Sequence, residues 1–123
     1  MAKLWLDDVR KCPFVGGWYV ATNYDEAIQI LGSMEIEEAW LDHDLAYEHY
    51  GHVDPSSYKE KTGYDVVLWM FENGTFPKKC FVHSLNPDGS RRMCIALAKH
   101  YGGTPIGLDH RIPYLDLMKN IRP

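Results

Sequence analysis

Three short apolar runs in the chain each stop at residues that can bind a phosphate, hold a metal ion or move a proton. The runs and the polar residues that follow them are Leu4-Trp5-Leu6 with Asp7 and Asp8, Ala39-Trp40-Leu41 with Asp42, His43 and Asp44, and Cys80-Phe81-Val82 with His83 and Ser84. Apolar runs of this length, separated by helical patterns, are typical of buried parallel strands. Because open α/β sheets bind ligands at the carboxyl ends of their strands, the pattern predicts that these side chains share one edge of a sheet.

The acidic residues of this set could hold a metal ion. Asp7, Asp8 and Asp42 offer the carboxylate oxygens that Mg²⁺ and Mn²⁺ prefer. Three crowded carboxylates without a cation would repel one another. We therefore predict a divalent cation, Mg²⁺ or Mn²⁺, as the cofactor. The alternative is that one or two of these carboxylates cap loops or the following helix.

The histidines of the set could transfer protons. An imidazole titrates near neutrality, and the neighbouring Asp42 and Asp44 could hold the tautomer of His43. His83 follows the next strand and is the second candidate, with Ser84 beside it as a ligand for a phosphate oxygen. The alternative for His83 is a strand-end side chain that satisfies loop backbone.

Three arginines are candidate phosphate ligands. Arg91 and Arg92 follow Asn86-Pro87, which is typical of a helix start, and both helix N-termini and guanidinium groups favour phosphate. Adjacent helical residues point about 100° apart, so at least one of the pair should face solvent, and we favour Arg91 as the ligand. Arg10, just past the acidic pair, is the third candidate.

The remaining patterns describe the scaffold. Strands are predicted at 3–6, 18–21, 39–41, 78–83 and 104–108, and helices begin after caps at Asn23, Thr62 and Asn86. Gly32 and Gly74 are expected to end the first two helices, and a short final helix is predicted at residues 113–120. Residues 11–17 lack a helical period, so the first crossover helix is short or missing. These elements predict one α/β domain over residues 1–123, a flavodoxin-like three-layer α/β/α sandwich with a mostly parallel five-stranded sheet of order 2-1-3-4-5.

The amino-acid composition limits the classes of molecule that the chain is expected to bind. A net charge of -4 argues against general DNA binding and against an anionic membrane surface, but leaves room for a small phosphate ligand held by local arginines. The three cysteines have no paired spacing and are expected to be reduced thiols. With no secretion signal or membrane-length apolar run, we expect a cytoplasmic protein without a membrane partner.

Four motifs resemble those of the cyclic-phosphate-processing receiver-like family, which belongs to the receiver-domain superfamily. They are Leu4-Trp5-Leu6-Asp7-Asp8-Val9-Arg10, Leu41-Asp42-His43-Asp44-Leu45, Thr62-Gly63-Tyr64-Asp65-Val66-Val67, and Val82-His83-Ser84-Leu85-Asn86-Pro87 with Arg91-Arg92-Met93. The resemblance implies a receiver-like fold and action on cyclic phosphate ends of RNA or of nucleotides. Residues 104–108 offer no lysine of the kind that receivers carry after their fifth strand, and His43 and His83 are additions to the receiver pattern. Both departures argue against phospho-relay signalling.

The resulting hypothesis is a metal-assisted phosphoesterase that opens a cyclic phosphate of a nucleotide or RNA end. In it, His43 and His83 act as acid and base on opposite sides of the phosphate, while Ser84 and an arginine position the phosphate oxygens. The alternative is a non-catalytic receiver-like module that binds a cyclic nucleotide or accepts a phosphoryl group on Asp42. The polar loop 46–61 is predicted to be either a functional lid or simply mobile, and its tyrosines either stack on a base or cover the adjacent helix. Asp109 and His110 have no assigned role.

Overall fold

Strands and helices alternate along the described part of the chain. The computed structural model describes residues 2–46, 49, 59–83 and 86–101. The elements are β1 (Ala2–Leu6), β2 (Trp18–Ala21), α1 (Tyr24–Ser33), β3 (Ile36–Leu41), α2 (Gly63–Asn73), β4 (Lys79–Val82) and α3 (Pro87–Tyr101). None of these helices has the length and apolar character needed to cross a membrane.

The four strands form one parallel sheet of order β2-β1-β3-β4. Leu6 pairs with Ala21 on one side and with Leu41 on the other, and Leu41 pairs with Val82. The carboxyl ends of all four strands therefore lie level at one edge. This order confirms the flavodoxin-like, receiver-like fold; the predicted fifth strand at 104–108 lies outside the described residues.

The two faces of the sheet bury different side chains, because successive residues of a strand point to opposite sides. On one face, the aliphatic residues of the strands pack with all three helices in a single core, and α2 contacts both α1 and α3. The other face carries an aromatic cluster of Trp5, Trp40 and Phe81, with Phe14 and Trp18 packed against it. Residues 7–17 contain no helix, so the prediction of a short or missing first crossover helix is confirmed. The final helix predicted at 113–120 lies outside the described residues.

Helix α1 begins as predicted but ends later. The Asn23 side chain accepts the Glu26 N–H at 2.9 Å, whereas the Glu26 carboxylate reaches the N–H and hydroxyl of Thr22 rather than Asn23. The prediction that Gly32 ends this helix is wrong. Gly32 does not adopt the left-handed φ that ends a helix, and α1 continues through Ser33.

Helix α2 is fixed at both ends. Thr62 and Asp65 form the predicted reciprocal cap, with the Thr62 N–H 2.8 Å from the Asp65 carboxylate. Gly74 ends the helix at a φ of 59°, as predicted. The apolar run of residues 66–71 predicts a deeply packed helix, but Leu68 and Phe71 are each 38% exposed on the side away from the core.

Two further boundaries bear on the site. The Asn86 side chain accepts the Gly89 N–H at 2.9 Å and so caps α3 as predicted. Strand β3 starts at Ile36 rather than at the predicted residue 39, so Glu37 and Glu38 lie within the strand. The Glu38 carboxylate accepts the Trp40 indole N–H at 2.8 Å, which lets an acidic residue occupy the strand.

Candidate functional site

The carboxyl ends of β1, β3 and β4 bring the predicted residues together. The N–H of Asp42 donates to the Leu6 carbonyl and the N–H of His83 donates to the Leu41 carbonyl, each at 3.0 Å. The parallel ladder therefore continues past the strands and holds the first polar residue of each run in register. The predicted grouping at one sheet edge is confirmed for all its members but Ser84, which lies outside the described residues, and the chemical roles of the members stay predictions.

Asp7 is the centre of a buried ionic cluster. Its Oδ1 accepts the backbone N–H groups of Val9 and Arg10 at 2.9 and 2.8 Å. Its Oδ2 accepts Nε of Arg10 at 2.8 Å and lies 3.1 Å from Nε2 of His83. Nη2 of Arg10 lies 3.4 Å from Oδ1 of Asp42. One guanidinium thus connects the carboxylates that follow β1 and β3.

Burial sets the ionisation of this cluster. Burial alone would raise the pKa of Asp7, but the hydrogen bond from His83 and the charge of Arg10 bring it below its usual value. Burial lowers the pKa of His83, and the hydrogen bond to Asp7 only partly opposes that shift. A neutral His83 donates its Nε2–H to Asp7 and stacks on the Trp5 ring at 4.1 Å. Its Nδ1 has no hydrogen-bond partner among the described residues.

His43 points to the helical side of the sheet. Its Nδ1 lies 2.7 Å from Oδ1 of Asp44, and the Asn86 amide donates to the same oxygen at 3.3 Å. With Nδ1–H donating to Asp44, the lone pair of the neutral ring is on Nε2. Gly89 in the first turn of α3 packs against the ring so closely that an added Cβ would lie 2.5 Å from its Cγ.

A cavity of about 390 Å³ opens beside His43. The cavity lies between α3 on one side and, on the other, the start of α2 with the residues that precede this helix. Its lining residues are His43, Lys59, Glu60, Lys61, Thr62, Tyr64, Asp65 and Arg92. Three of these carry positive charge and two carry negative charge, and one of the two, Asp65, is engaged in the α2 cap. The Arg92 guanidinium lies 5.9 Å from the centre of the Tyr64 ring. The pocket is therefore suited to an anion next to an imidazole. A larger cavity of about 530 Å³, lined by Ala2, Ile36 and Lys78 among others, lies at the opposite ends of the strands.

The three arginines have different surroundings. Arg10 is 7% exposed and is bound to Asp7 and Asp42. Both Arg91 and Arg92 are exposed, but Arg92 lines the His43 cavity and Arg91 does not. The preference for Arg91 as the phosphate ligand stays a prediction, but the rotation of about 100° between neighbouring helical residues directs Arg92, rather than Arg91, to this pocket. Ser84, Asp109 and His110 lie outside the described residues, as does most of loop 46–61.

The acidic residues predicted to bind metal are close enough to share one ion. Oxygen atoms of Asp7, Asp8 and Asp42 lie within 4.8 Å of one another, and Asp8 is the least buried of the three. Yet both oxygens of Asp7 already accept two donors each. The arrangement of Asp7 does not fit a metal ligand, because a carboxylate has about four lone-pair positions in total.

Sequence reasoning missed two supporting residues. His49 was assigned only to a polar loop, yet it is 5% exposed, accepts the Leu45 N–H on Nδ1 at 2.9 Å and lies 2.9 Å from the Glu60 carbonyl through Nε2. It joins the residues after Asp44 to the wall of the His43 pocket. Gly63 is the second, since its N–H donates to the His43 carbonyl at 2.8 Å and a Cβ there would lie 1.8 Å from the Asp42 carbonyl oxygen. The Thr62-Gly63 pair was a signal for the cap but not for this contact.

The parallel β2-β1-β3-β4 sheet and the carboxylates after β1 and β3 define a receiver-like α/β protein. Residues 2–99 match the sequence model of the Cyclic-phosphate processing Receiver domain, and the chain belongs to this family. The search of curated proteins found no match to the chain. Membership confirms the predicted resemblance and links the chain to cyclic-phosphate processing.

Proposed function

We propose that the chain is a phosphoesterase that opens a cyclic phosphate of a nucleotide or of an RNA end in the pocket lined by His43 and Arg92. The observation that carries the proposal is the buried His43 ring, which lines a pocket with several cationic side chains and lies 2.7 Å from the Asp44 carboxylate, to which the half-buried Asn86 also donates. A positioned imidazole beside cationic groups is what proton transfer at a phosphoester requires. Family membership supports the substrate class.

His43 is the proton-transfer residue of this proposal. Its Nε2 takes a proton from water as the water oxygen attacks phosphorus, and the Asp44 carboxylate stabilises the imidazolium that forms. One bond between phosphorus and a ribose oxygen then breaks, and the imidazolium returns the proton to the leaving oxygen. Arg92 binds the non-bridging oxygens, whose negative charge suits a guanidinium. Atoms and charges balance without a further reactant.

His83 has a different role in the proposal than the one predicted for it. Its side chain is fully buried, stacks on Trp5 and donates to Asp7, and it does not line the His43 pocket. Burial also lowers its pKa, which keeps it neutral. We therefore assign His83 to orienting Asp7 rather than to proton transfer. We also assign the Asp42 carboxylate to a positioning role, since its Oδ1 accepts the backbone N–H of His43 at 2.8 Å.

One observation favours the alternative, a module that binds a cyclic nucleotide without turnover. His43 is only 3% exposed, which leaves little of the ring open to the water that hydrolysis needs. Turnover separates the two functions. An enzyme incubated with a panel of cyclic nucleotides forms more moles of monoester product than there are moles of protein. A binding module binds the nucleotide stoichiometrically and forms no product.

The test is the rate of hydrolysis of 2′,3′-cyclic nucleotides, followed by chromatographic separation of the monoester product. His43→Ala should lower kcat by at least about 100-fold, since general acid–base catalysis contributes that much. His100→Ala is the matched control, because His100 is an exposed histidine on α3 that stacks on Phe76 and does not line the pocket. A His43→Ala variant with the wild-type rate would refute the proton-transfer role.

A further inference from the structure

The acidic edge of the sheet contains its own positive charge. The three crowded carboxylates predict a divalent cation there, held by Asp7, Asp8 and Asp42. The described structure instead places the Arg10 side chain on two of them, with Nε 2.8 Å from Asp7 and Nη2 3.4 Å from Asp42.

Asp7 has no remaining oxygen position for a metal ion. Its Oδ1 accepts the N–H groups of Val9 and Arg10, and its Oδ2 accepts Nε of Arg10 and faces Nε2 of His83. These contacts fill the roughly four lone-pair positions of a carboxylate. A cation that bound Asp7 would therefore have to displace a donor that is itself buried.

Local structure holds Arg10 in place from three directions. The Asp7 carboxylate accepts the Arg10 N–H, so residues 7–10 turn back and bring the guanidinium to the carboxylate three residues earlier. The Arg10 carbonyl accepts the Trp5 indole N–H at 2.9 Å. The Arg10 side chain is 6% exposed, and those of Asp7 and Asp42 are 0% and 3% exposed. A buried pair of this kind is held strongly once formed, because removing either partner leaves a buried charge uncompensated.

We propose that Arg10 is the resident cation of this site and takes the place that a divalent metal ion would otherwise occupy. The guanidinium offsets one of the two negative charges of Asp7 and Asp42, contacts both carboxylates and holds the loop 7–10 against the sheet. The consequence is a protein that folds without Mg²⁺ or Mn²⁺ bound at this edge of the sheet. The proposal concerns the acidic edge alone and does not depend on the phosphoesterase proposal.

The test measures Mn²⁺ binding by electron paramagnetic resonance and thermal unfolding with and without added Mn²⁺. The wild-type protein should leave the spectrum of free Mn²⁺ unchanged and should unfold at the same temperature with and without the ion. Arg10→Ser should unfold at a lower temperature, bind Mn²⁺ at least about tenfold more tightly than wild type, and recover part of the lost unfolding temperature when Mn²⁺ is added.

Arg10→Lys is the control that keeps the charge. It should bind Mn²⁺ as weakly as wild type, although its single ammonium cannot reproduce the fork of contacts to both carboxylates. Where Arg10→Ser fails to fold, Mn²⁺ binding to the wild-type protein decides the question, and a wild type that binds Mn²⁺ and unfolds at a higher temperature in its presence overturns the proposal. The proposal is overturned if wild type or Arg10→Lys binds Mn²⁺ as tightly as Arg10→Ser, or if Arg10→Ser folds but gains no Mn²⁺ binding. None of these readouts needs turnover, so a failed hydrolysis assay leaves the result intact.

Discussion

Replacing Gly89 by alanine should push the His43 ring out of its position. Gly89 lies in the first turn of α3, and a Cβ built on it would lie 2.5 Å from Cγ, 2.7 Å from Cδ2 and 2.8 Å from Nδ1 of His43. Cβ atoms essentially never approach other heavy atoms this closely, so either the ring or the helix must move. The ring is held by Asp44 at 2.7 Å, and its movement lengthens that hydrogen bond.

The size of the effect follows from opposing contributions. Gly→Ala within a helix stabilises by about 0.5–1 kcal/mol through helix propensity. Inserting a methyl group into a packed contact costs about 1–3 kcal/mol. We expect a net loss of about 1 kcal/mol in the free energy of unfolding. We also expect a lower kcat, because the displaced His43 ring loses its hydrogen bond to Asp44.

Gly32→Ala is the matched control. Gly32 lies near an end of α1, as Gly89 does of α3, but its added Cβ would meet only Trp69 ring atoms at 3.5 and 3.6 Å, which is ordinary contact. This variant should have a free energy of unfolding about 0.5–1 kcal/mol higher than wild type and should keep the wild-type kcat. The two variants should thus differ by about 2 kcal/mol, or about 8 °C in Tm for a domain of this size.

Urea denaturation measures the free energy of unfolding of the two variants, and the hydrolysis assay measures their kcat. A Gly89→Ala protein as stable as Gly32→Ala, with wild-type turnover, would show that His43 is not packed against α3. A Gly89→Ala protein that loses stability and keeps full turnover would show instead that the position of the His43 ring does not matter for the chemistry.

Three further predictions concern the histidines and Asp44. Because burial lowers the pKa of His83 in the folded chain, the unfolded chain takes up the proton first, and stability should fall by up to about 1.4 kcal/mol per pH unit as the pH drops below about 6.5. His83→Gln should flatten that slope in denaturation series measured at several pH values; an unchanged slope would contradict the assignment. Asp44→Asn should lower kcat at least about tenfold with little change in KM, since the amide no longer stabilises the His43 imidazolium, and a change confined to KM would argue against this role. His49→Phe removes two hydrogen bonds and should cost about 2 kcal/mol in chemical denaturation, and a loss of only a few tenths would mean that His49 does not hold the loop.

The sequence allowed the position of the site to be predicted because that position depends on short-range pattern. The apolar runs before Asp7, Asp42 and His83 end where buried strands end, and parallel pairing then places those residues at one edge. The caps at Asn23, Thr62 and Asn86 were predictable for the same reason, since a cap is a contact within about four residues.

The contacts within the site were less predictable because they depend on where each side chain points. Arg10 was expected to bind a phosphate, whereas it folds back three residues onto Asp7. His49 lies in a stretch without a helical or strand period, and its contact with the Glu60 carbonyl closes a loop that no local pattern indicates. The choice between Arg91 and Arg92 depended on the rotation of α3 about its axis, which the register of its apolar stripe does not fix closely enough.

The two neighbouring residues Asp42 and His43 explain why one sheet edge can hold two different environments. Asp42 lies on the aromatic side with Arg10, and His43 lies on the helical side with Gly89 and the pocket. The carboxylates of Asp7 and Asp42 are thereby kept away from the pocket proposed to bind a phosphate, which they would repel. The two sides are nevertheless coupled, because the His43 N–H donates to the same Asp42 oxygen that faces the Arg10 guanidinium. An uncompensated Asp42 would shift or become protonated and weaken that hydrogen bond, so the charge of Arg10 helps to fix the backbone of the residue that we propose transfers the proton.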